Sequence, residues 1–415
     1  MHDWILRGGR VMDPANGIDA VADLAIGGGR IAAISNTPAV AEPARREFDA
    51  RGLIVCPGLV DIHIHGYHLA TPLGIDVDHY CLGRGVTTAV DAGSAGACTL
   101  PGFRAFAVER FRTRLLGFLH ISSIGLAGAG LGGGSAPGEC DSLRTVDADD
   151  CARAIEANRD ILVGVKIRLS DSCADDGRNE AEAYERALRA AAMTGLPLMV
   201  HHSFSTVDLS DCPGRMKPGD IYTHCFHGFP STILEPESRR IHPAVAAARE
   251  RGVLFDIGHG QGSFTWTVAE AAARQGFWPD TISTDLHSGT CEGPCYDMPT
   301  AMTRMLRVGM PLEAVIRAAT IGPAEAVGIA GEAGTLGIGR EADVAVLRIE
   351  DAGFELDDCQ GQMRLIEKRI RAEAVWRAGE RCAITEPLRF ADPAVTRSQR
   401  EWWPRLVVRD ALLAE

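Results

Sequence analysis

The 415-residue chain lacks the features that would place it on a membrane or on nucleic acid. No run of about 18 apolar residues occurs, so no segment is long enough to cross a bilayer. The formal net charge is −13, and the basic residues form no cluster that could neutralise phosphates. The first residues, "MHDWILRGGRVMDP", carry charges where a secretory signal needs a continuous apolar stretch. We therefore expect neither a nucleic-acid partner nor a membrane partner.

A disulfide framework and a zinc knuckle are also missing. The twelve cysteines are spread along the chain, and several lie in apolar runs, among them Cys56 and Cys225. Cys291 and Cys295 stand four residues apart in "CEGPCYD", but no second pair accompanies them. Free thiols are therefore the expectation, and free thiols are typical of a reducing compartment. Together with the missing signal segment, they predict a cytoplasmic protein.

Nucleotide-binding motifs are absent as well. The segment "GAGLGG" (128–133) fits G-x-G-x-x-G, but more glycine and a proline follow it. No helix can begin there, although a dinucleotide site needs a helix N-terminus facing the pyrophosphate. No G-x-x-x-x-G-K-[ST] occurs either. We interpret the glycine-rich segment 125–138 as a mobile loop and leave its role open.

Eight apolar runs of strand length fill the middle of the chain. They cover residues 59–65, 86–93, 115–122, 162–169, 196–203, 220–226, 253–258 and 281–287. Segments of helical composition separate several of them, notably 178–195, 242–252 and 265–276. Alternating strands and helices predict a parallel sheet with right-handed crossovers, and eight units over about 250 residues match a closed (β/α)8 barrel. An open doubly wound sheet is the alternative, but it would not need eight similar units.

The two ends of the chain resemble each other and differ from the middle. Residues 4–34, 334–349 and 371–382 have the composition of short strands separated by Gly and Asn-Gly turns. We predict an α/β protein with a TIM-like barrel at 56–330. A small β-sandwich domain is expected from residues 1–55 and 331–390 together. The tail, 391–415, is expected to pack on the barrel or on a partner chain.

Residue types that bind or activate metals collect at the C-terminal ends of the predicted strands, where barrels place their active sites. They are His63 and His65 on strand 1, Lys166 on strand 4, His201 on strand 5, His224 on strand 6 and Asp285 on strand 8. Side chains alternate along a strand, so His63 and His65 share a face and can converge on one ion. The alternative is a pair of buried core histidines, which the other histidine-ended strands make less favourable.

Lys166 and Asp285 are the two charged members of this set. Lys166 interrupts the apolar run "ILVGVKIRL", where an ammonium group is costly to desolvate. A depressed pKa would relieve that cost and make the amine nucleophilic, for a Schiff base or for uptake of CO₂ as a carbamate. A salt-bridged structural lysine is the alternative. Asp285 can bind an ion and still take a proton from bound water, unless it only caps the next helix.

These stretches together resemble the amidohydrolase superfamily, most closely its dihydroorotase-like amidohydrolase and deacetylase branch. The resemblance is carried by "CPGLVDIHIH", "VGVKIRLS", "THCFHGF", "FDIGHGQGSF" and "STDLH". It implies that His63, His65 and Asp285 hold one divalent ion, that His201 and His224 hold a second, and that a carbamylated Lys166 and a hydroxide bridge the two. Zn²⁺ is the natural choice for imidazole-rich ligands, although Mn²⁺, Fe²⁺ and Co²⁺ fit similar sets. Hydrolysis of an amide or ester acyl bond by metal-bound hydroxide would follow, with Asp285 as the catalytic proton carrier.

Substrate contacts are predicted beside these ligands. Arg168 follows Lys166 by two residues, so we expect its side chain to point toward the same C-terminal end of the barrel and to bind a substrate carboxylate. Pairing of Arg168 with an internal acid is the open alternative. Further candidates are His227, His259 and His287. We expect deacetylation of a small N-acyl or O-acyl carboxylic acid. A cyclic amidase of the dihydroorotase or hydantoinase type and a non-catalytic scaffold are the alternatives, and a homo-oligomer is expected by analogy.

Overall fold

The computed structural model describes residues 1–35, 40, 42–129 and 137–388. Its first five strands are β1 (His2–Asp13), β2 (Ile18–Gly27), β3 (Arg30–Ser35), β4 (Ala44–Asp49) and β5 (Ile54–Pro57). Strand β1 pairs antiparallel with β2 and parallel with β4 and β5, and β2 pairs antiparallel with β3. The Asn16-Gly17 turn joins β1 to β2, and Gly17 supplies the φ of +64° that such a turn needs. The tail 391–415 and residues 130–136 of the glycine-rich loop lie outside the described residues.

Seven parallel strands follow and form a second sheet. They are β6 (Leu59–Ile64), β7 (Val86–Ala92), β8 (Arg114–His120), β9 (Leu162–Leu169), β10 (Leu198–His202), β11 (Ile221–Thr223) and β12 (Leu254–Phe255). Each strand pairs with the next one in the chain, from β6 to β12. The seven correspond to the first seven apolar runs of the sequence, so the parallel α/β architecture is confirmed.

The eighth apolar run lies between the two edges of this sheet. One parallel bridge joins Thr281 to Asp256, just after β12, and another joins Leu286 to Ile64 of β6. The run therefore closes the ring, but it forms isolated bridges rather than a continuous strand. Asp285 explains the difference, because its φ of +49° interrupts the extended backbone that a strand requires.

Helices connect and follow the barrel strands. They are α1 (Val77–Tyr80), α2 (Leu100–Phe103), α3 (Ala148–Glu156), α4 (Glu180–Thr194), α5 (Pro243–Glu250), α6 (Trp266–Arg274), α7 (Met298–Arg307), α8 (Leu312–Ala318) and α9 (Ile321–Ala326). Short 3₁₀ turns at Leu82–Arg84 and Asp171–Cys173 and a π-helical turn at Arg104–Val108 complete the set. Asp147 caps α3 and Thr265 caps α6, each accepting a hydrogen bond from the backbone N–H three residues later. No helix in the described part of the chain is long and apolar enough to span a bilayer.

The last strands return to the first sheet. They are β13 (Val344–Asp357), β14 (Met363–Arg377) and β15 (Glu380–Cys382), and the full order is β15-β14-β13-β5-β1-β2-β3, with β4 on β1. Trp4 of β1 and Trp376 of β14 are three strands apart in this order, yet their ring centroids are only 5.5 Å apart. Strands lie about 4.8 Å apart in a sheet, so this one folds back on itself around a shared core. A strand-rich domain from both chain ends is thereby confirmed, while its predicted boundaries stay predictions.

The turn between β13 and β14 reaches the barrel. The backbone N–H of Cys359 donates to the carbonyl of Phe264 at 3.0 Å. The carboxylate of Asp358 accepts from the backbone N–H of Trp266 at 3.0 Å, and the indole of Trp266 donates to the carbonyl of Leu356 at 3.2 Å. The strand-rich domain therefore supports the loop that leads into α6, at the C-terminal end of the barrel strands. None of the twelve cysteines of the chain forms a disulfide.

Candidate metal centre

Three of the predicted ligands converge where the eighth run meets β6. The Oδ1 atom of Asp285 lies 3.1 Å from Nε2 of His65 and 3.4 Å from Nε2 of His63. The ligand atoms of these residues all lie within 4.8 Å of one another, and no second group of three such side chains occurs among the described residues. All three residues are buried. The structure therefore brings together the two histidines of "DIHIH" and the distant aspartate.

Hydroxyl groups hold the opposite edges of the two imidazoles. Nδ1 of His63 lies 2.9 Å from Oγ1 of Thr223, and Nδ1 of His65 lies 2.9 Å from Oγ of Ser94. With Nδ1 engaged, each ring can turn the lone pair of Nε2 toward Asp285. Three electron-pair donors facing one another repel unless a cation lies between them. Two imidazoles and a carboxylate are ligands that Zn²⁺ and similar divalent ions accept, so this donor set fits such an ion.

Lys166 lies directly against this group. Its Nζ atom is 3.4 Å from Nε2 of His63, and the residue is only 1% exposed. Burial lowers the pKa of Lys166 to about 7, although the carboxylates of Asp285 and Asp256 act in the opposite direction. Gly93 makes room for the side chain, because a methyl group there would lie 2.7 Å from Cγ of Lys166. A substantial neutral fraction of this amine at pH 7 makes it a nucleophile.

His224 and His201 extend the cluster on its other side. The ring centroid of His224 lies 5.0 Å from that of His63 and 4.3 Å from that of His201. Nδ1 of His224 donates to the carbonyl of Gly258 at 2.6 Å, and its buried Nε2 has no hydrogen-bond partner among the described residues. Burial lowers the pKa of His224 to about 4, which keeps the ring neutral and able to bind a metal. In His201 it is Nε2 that is engaged, by Oγ of Ser203 at 2.6 Å, so Nδ1 is the nitrogen left for an ion.

Arg168 is held by a buried acid. Its Nε and Nη2 atoms donate to the two carboxylate oxygens of Glu139, the second at 3.0 Å, and Nη2 also lies 2.9 Å from Sγ of Cys173. Although burial acts to raise it, Arg168 and His120 hold the pKa of Glu139 well below its usual value. Pairing with an internal acid, the alternative left open by the sequence, is therefore present. The Arg168 side chain as a whole remains 21% exposed.

His287 and His227 lie at different distances from the cluster. The ring centroid of His287 is 6.2 Å from that of His65, which puts it beside the metal-ligand group. His227 stacks on Phe229 with centroids 5.4 Å apart, and its buried Nε2 has no hydrogen-bond partner in the described part of the chain. Burial lowers the pKa of His287 to about 4 and that of His227 to about 3, so both rings are neutral at pH 7.

His259 is supported by the strand-rich domain. Its ring stacks on Phe264 with centroids 4.9 Å apart. Its backbone carbonyl lies 3.6 Å from Sγ of Cys359, which belongs to the turn between β13 and β14. Within the described ranges, its buried Nε2 has no hydrogen-bond partner. These contacts therefore hold the imidazole of His259 in place, and its Nε2 atom is available to a ligand.

Several side chains around the cluster escaped sequence reasoning. They are Asp91, Ser94, His120, Glu139, Thr223 and Asp256. Asp91, His120 and Asp256 were detectable, because each lies near the C-terminal end of a predicted strand, the same signal that identified His63. Ser94, Thr223 and Glu139 carried no comparable signal, since hydroxyls and single acids occur throughout the chain.

A closed ring of parallel strands with imidazoles and an acid at its C-terminal mouth defines a barrel hydrolase of the metal-binding type. Sequence comparison agrees with this class. The profile described as "Amidohydrolase family" matches residues 245–375. A deacetylase of Agrobacterium fabrum is 35% identical over 362 residues, which cover 85% of this chain and 86% of that protein. A deacetylase of Enterococcus faecalis is 31% identical and covers 89% of this chain and 96% of its own length.

Solved structures give the same result. A crystal structure of an adenine deaminase matches with a TM-score of 0.84 and 29% identity, over 92% of this chain and 100% of that one. A crystal structure of a dihydroorotase matches with a TM-score of 0.82 and 30% identity, over 92% of this chain and 98% of that one. The chain belongs to the amidohydrolase family, whose members typically use metal ions, and it is a hydrolase that acts on C–N bonds.

Proposed function

We propose that the chain is a metal-dependent deacylase that removes an acetyl group from a small N-acyl or O-acyl carboxylic acid. The observation that supports this most is its similarity to curated deacetylases, at 31–35% identity over most of both chains. In this proposal His63, His65 and Asp285 hold one divalent ion. His201 and His224 would hold a second, and Lys166, as its carbamate, would serve as a further ligand. When bound, the ions lower the pKa of a water toward neutrality and polarise the acyl carbonyl.

Asp285 is the proposed catalytic residue. It takes the proton of the attacking water and delivers it to the leaving amine or alkoxide. Its φ of +49° is rare for a residue with a side chain and costs on the order of 1–3 kcal/mol. A 2.6 Å hydrogen bond from its backbone N–H to the carbonyl of His63 holds it in that conformation. Gly260 leaves the necessary room, since a methyl group there would lie 2.3 Å from Oδ2 of Asp285.

Arg168 is the proposed contact for the substrate carboxylate. The two hydrogen bonds that Arg168 donates to Glu139 fix the guanidinium plane before a ligand arrives, so less side-chain entropy is lost on binding. The side chain is partly exposed, and a guanidinium group offers planar N–H donors that suit a carboxylate. Because Glu139 balances the charge of Arg168, selectivity would come from the direction of these donors rather than from net charge.

The experiment is a substrate screen on protein purified with bicarbonate and a divalent metal. We expect acetate release from N-acetyl or O-acetyl carboxylic acids and bound metal in the active sample. Their unacetylated analogues serve as product standards. Bound metal without turnover of any acyl substrate would contradict the deacylase proposal but leave the metal site intact. Protein that binds no metal under these conditions would contradict both.

A cyclic amidase of the dihydroorotase or hydantoinase type is the second candidate. It is favoured by the match to the solved dihydroorotase over 92% of this chain. The similarity to a curated dihydroorotase of Solibacter usitatus is higher in identity, 48%, but covers only 61 residues. Dihydroorotate and hydantoins tested beside the acetylated acids separate the candidates, because a pocket suited to a linear acyl chain should leave the cyclic ureides unhydrolysed.

A further inference from the structure

We infer that Thr223 and Ser94 are positioning residues whose hydroxyls fix the tautomers of His63 and His65, so that Nε2 is the metal-binding atom of each ring. The inference rests on the metal site of the proposed function. It concerns side chains that do not themselves touch the ion. Nδ1 of each histidine lies against the hydroxyl of a residue that hydrogen-bonds a buried carboxylate, through its side chain in Thr223 and through its backbone in Ser94. The two links come from different parts of the barrel.

The first link runs from His63 through Thr223 to Asp256. Oγ1 of Thr223 lies 2.9 Å from Nδ1 of His63 and 2.7 Å from Oδ2 of Asp256. Asp256 is fully buried and also accepts from the hydroxyls of Thr281 at 2.7 Å and Ser283 at 2.6 Å. Thr223 donates its single hydroxyl proton to Asp256, so that proton is not available to the histidine. The hydroxyl then accepts from His63, which places the ring proton on Nδ1.

The second link runs from His65 through Ser94 to Asp91. Oγ of Ser94 lies 2.9 Å from Nδ1 of His65. The carboxylate of Asp91 accepts from the backbone N–H groups of Ser94 at 2.6 Å and Gly66 at 2.7 Å, so the position of Ser94 is fixed through its backbone. The Ser94 hydroxyl is thereby placed to accept from the ring of His65, which again puts the ring proton on Nδ1.

The consequence lies on the other side of each ring. A neutral imidazole carries one proton, so a donor at Nδ1 means a lone pair at Nε2. Both Nε2 atoms face Oδ1 of Asp285, within 3.4 Å. Without the hydroxyls, either ring could place its proton on Nε2 and donate to Asp285, which would put a proton where the ion belongs. Second-layer partners of metal-binding histidines typically change metal affinity by about 10–100-fold.

The test measures metal loss from the loaded full-length protein. Thr223→Val and Ser94→Ala should each weaken Zn²⁺ affinity by about 10–100-fold in competition with a chromophoric chelator. Thr223→Ser and Ser94→Thr keep the hydroxyl and should retain the Zn²⁺ affinity of the unmodified protein. Thr88→Val is the matched control. Thr88 is a buried barrel threonine whose hydroxyl has no hydrogen-bond partner among the described residues, so its removal should leave affinity unchanged.

A second measurement reads the tautomers directly. Long-range ¹H–¹⁵N spectra of the unmodified, ¹⁵N-histidine-labelled chain freed of metal should show protonated Nδ1 and unprotonated Nε2 at His63 and His65. Protonated Nε2 at either ring overturns the inference, even if the valine and alanine variants fail to fold. Unchanged affinity in folded Thr223→Val and Ser94→Ala also overturns it. Unmodified protein that binds no Zn²⁺ would instead overturn the proposed function, so the two failures are distinguishable.

Discussion

The Nε2 atom of His65 lies 3.1 Å from the Oδ1 atom of Asp285. His65 follows the first barrel strand and Asp285 lies in the last segment of the ring, so ring closure alone brings them together. Both atoms donate electron pairs when the imidazole proton is on Nδ1. Their approach is stabilising once a cation lies between them, and the same carboxylate is then adjacent to any water on that cation.

Replacing Asp285 with Asn should abolish most turnover while sparing metal binding. The amide oxygen can still bind an ion, but it cannot take a proton from water. Loss of a general base typically costs about 10²–10⁴-fold in kcat. Steady-state kinetics and metal analysis of the same preparation check this. Unchanged kcat would remove Asp285 from the mechanism, whereas loss of metal would show that its main role is as a ligand.

Lys166 predicts a pH dependence of stability in the metal-free, CO₂-free protein. Its pKa is about 7 in the fold and 10.5 without the fold, so between these values the unfolded chain binds more protons. The free energy of unfolding should therefore rise with pH in that window, by about 1.4 kcal/mol per pH unit. Urea unfolding at pH 7 and at pH 8.5, compared with Lys166→Met, isolates this contribution. Equal slopes for the two proteins would contradict it.

Arg168→Lys should weaken binding of carboxylate-bearing substrates in particular. The ammonium group keeps the charge but loses the two-pronged geometry, and it pairs less well with Glu139. We expect KM for an acetylated acid to rise by about tenfold or more, equivalent to one charge-assisted hydrogen bond. The matched substrate is the methyl ester of the same acid, whose KM should change little. Equal effects on both substrates would show that Arg168 serves the fold rather than the carboxylate.

Asp358→Ala should destabilise the contact between the strand-rich domain and the barrel. The buried carboxylate of Asp358 accepts backbone N–H bonds from Trp266 at 3.0 Å and from Gln360 and Gln362 at 2.8 Å each. Leaving these donors unpaired should cost about 1–3 kcal/mol in the free energy of unfolding. Asp351→Ala on the same hairpin is the control, because its ion pair with Lys368 is exposed to solvent and should contribute nothing measurable.

Local sequence patterns were sufficient for much of this structure. Apolar runs of strand length predicted β6 to β12, because strands that are buried on both faces of a parallel sheet must be apolar along their length. The C-terminal ends of those runs contain His63, His65 and Lys166. These residues were predicted to lie together because the C-terminal ends of parallel barrel strands meet on one side of the barrel. The same reading extended to every strand would have included Asp91 and Asp256. The eighth run was identified as well, but its backbone was not, because the positive φ of Asp285 depends on contacts with distant residues.

The sequence by itself determined which kinds of groups meet at the barrel mouth, because strand periodicity and strand order are local properties of the chain. Only the tertiary structure decided which atoms face each other. The approach of Thr223 to His63, the pairing of Glu139 with Arg168 and the contact of Cys359 with His259 all join residues from separate elements. Such contacts depend on ring closure and on the docking of the second domain, and no short stretch of sequence records either.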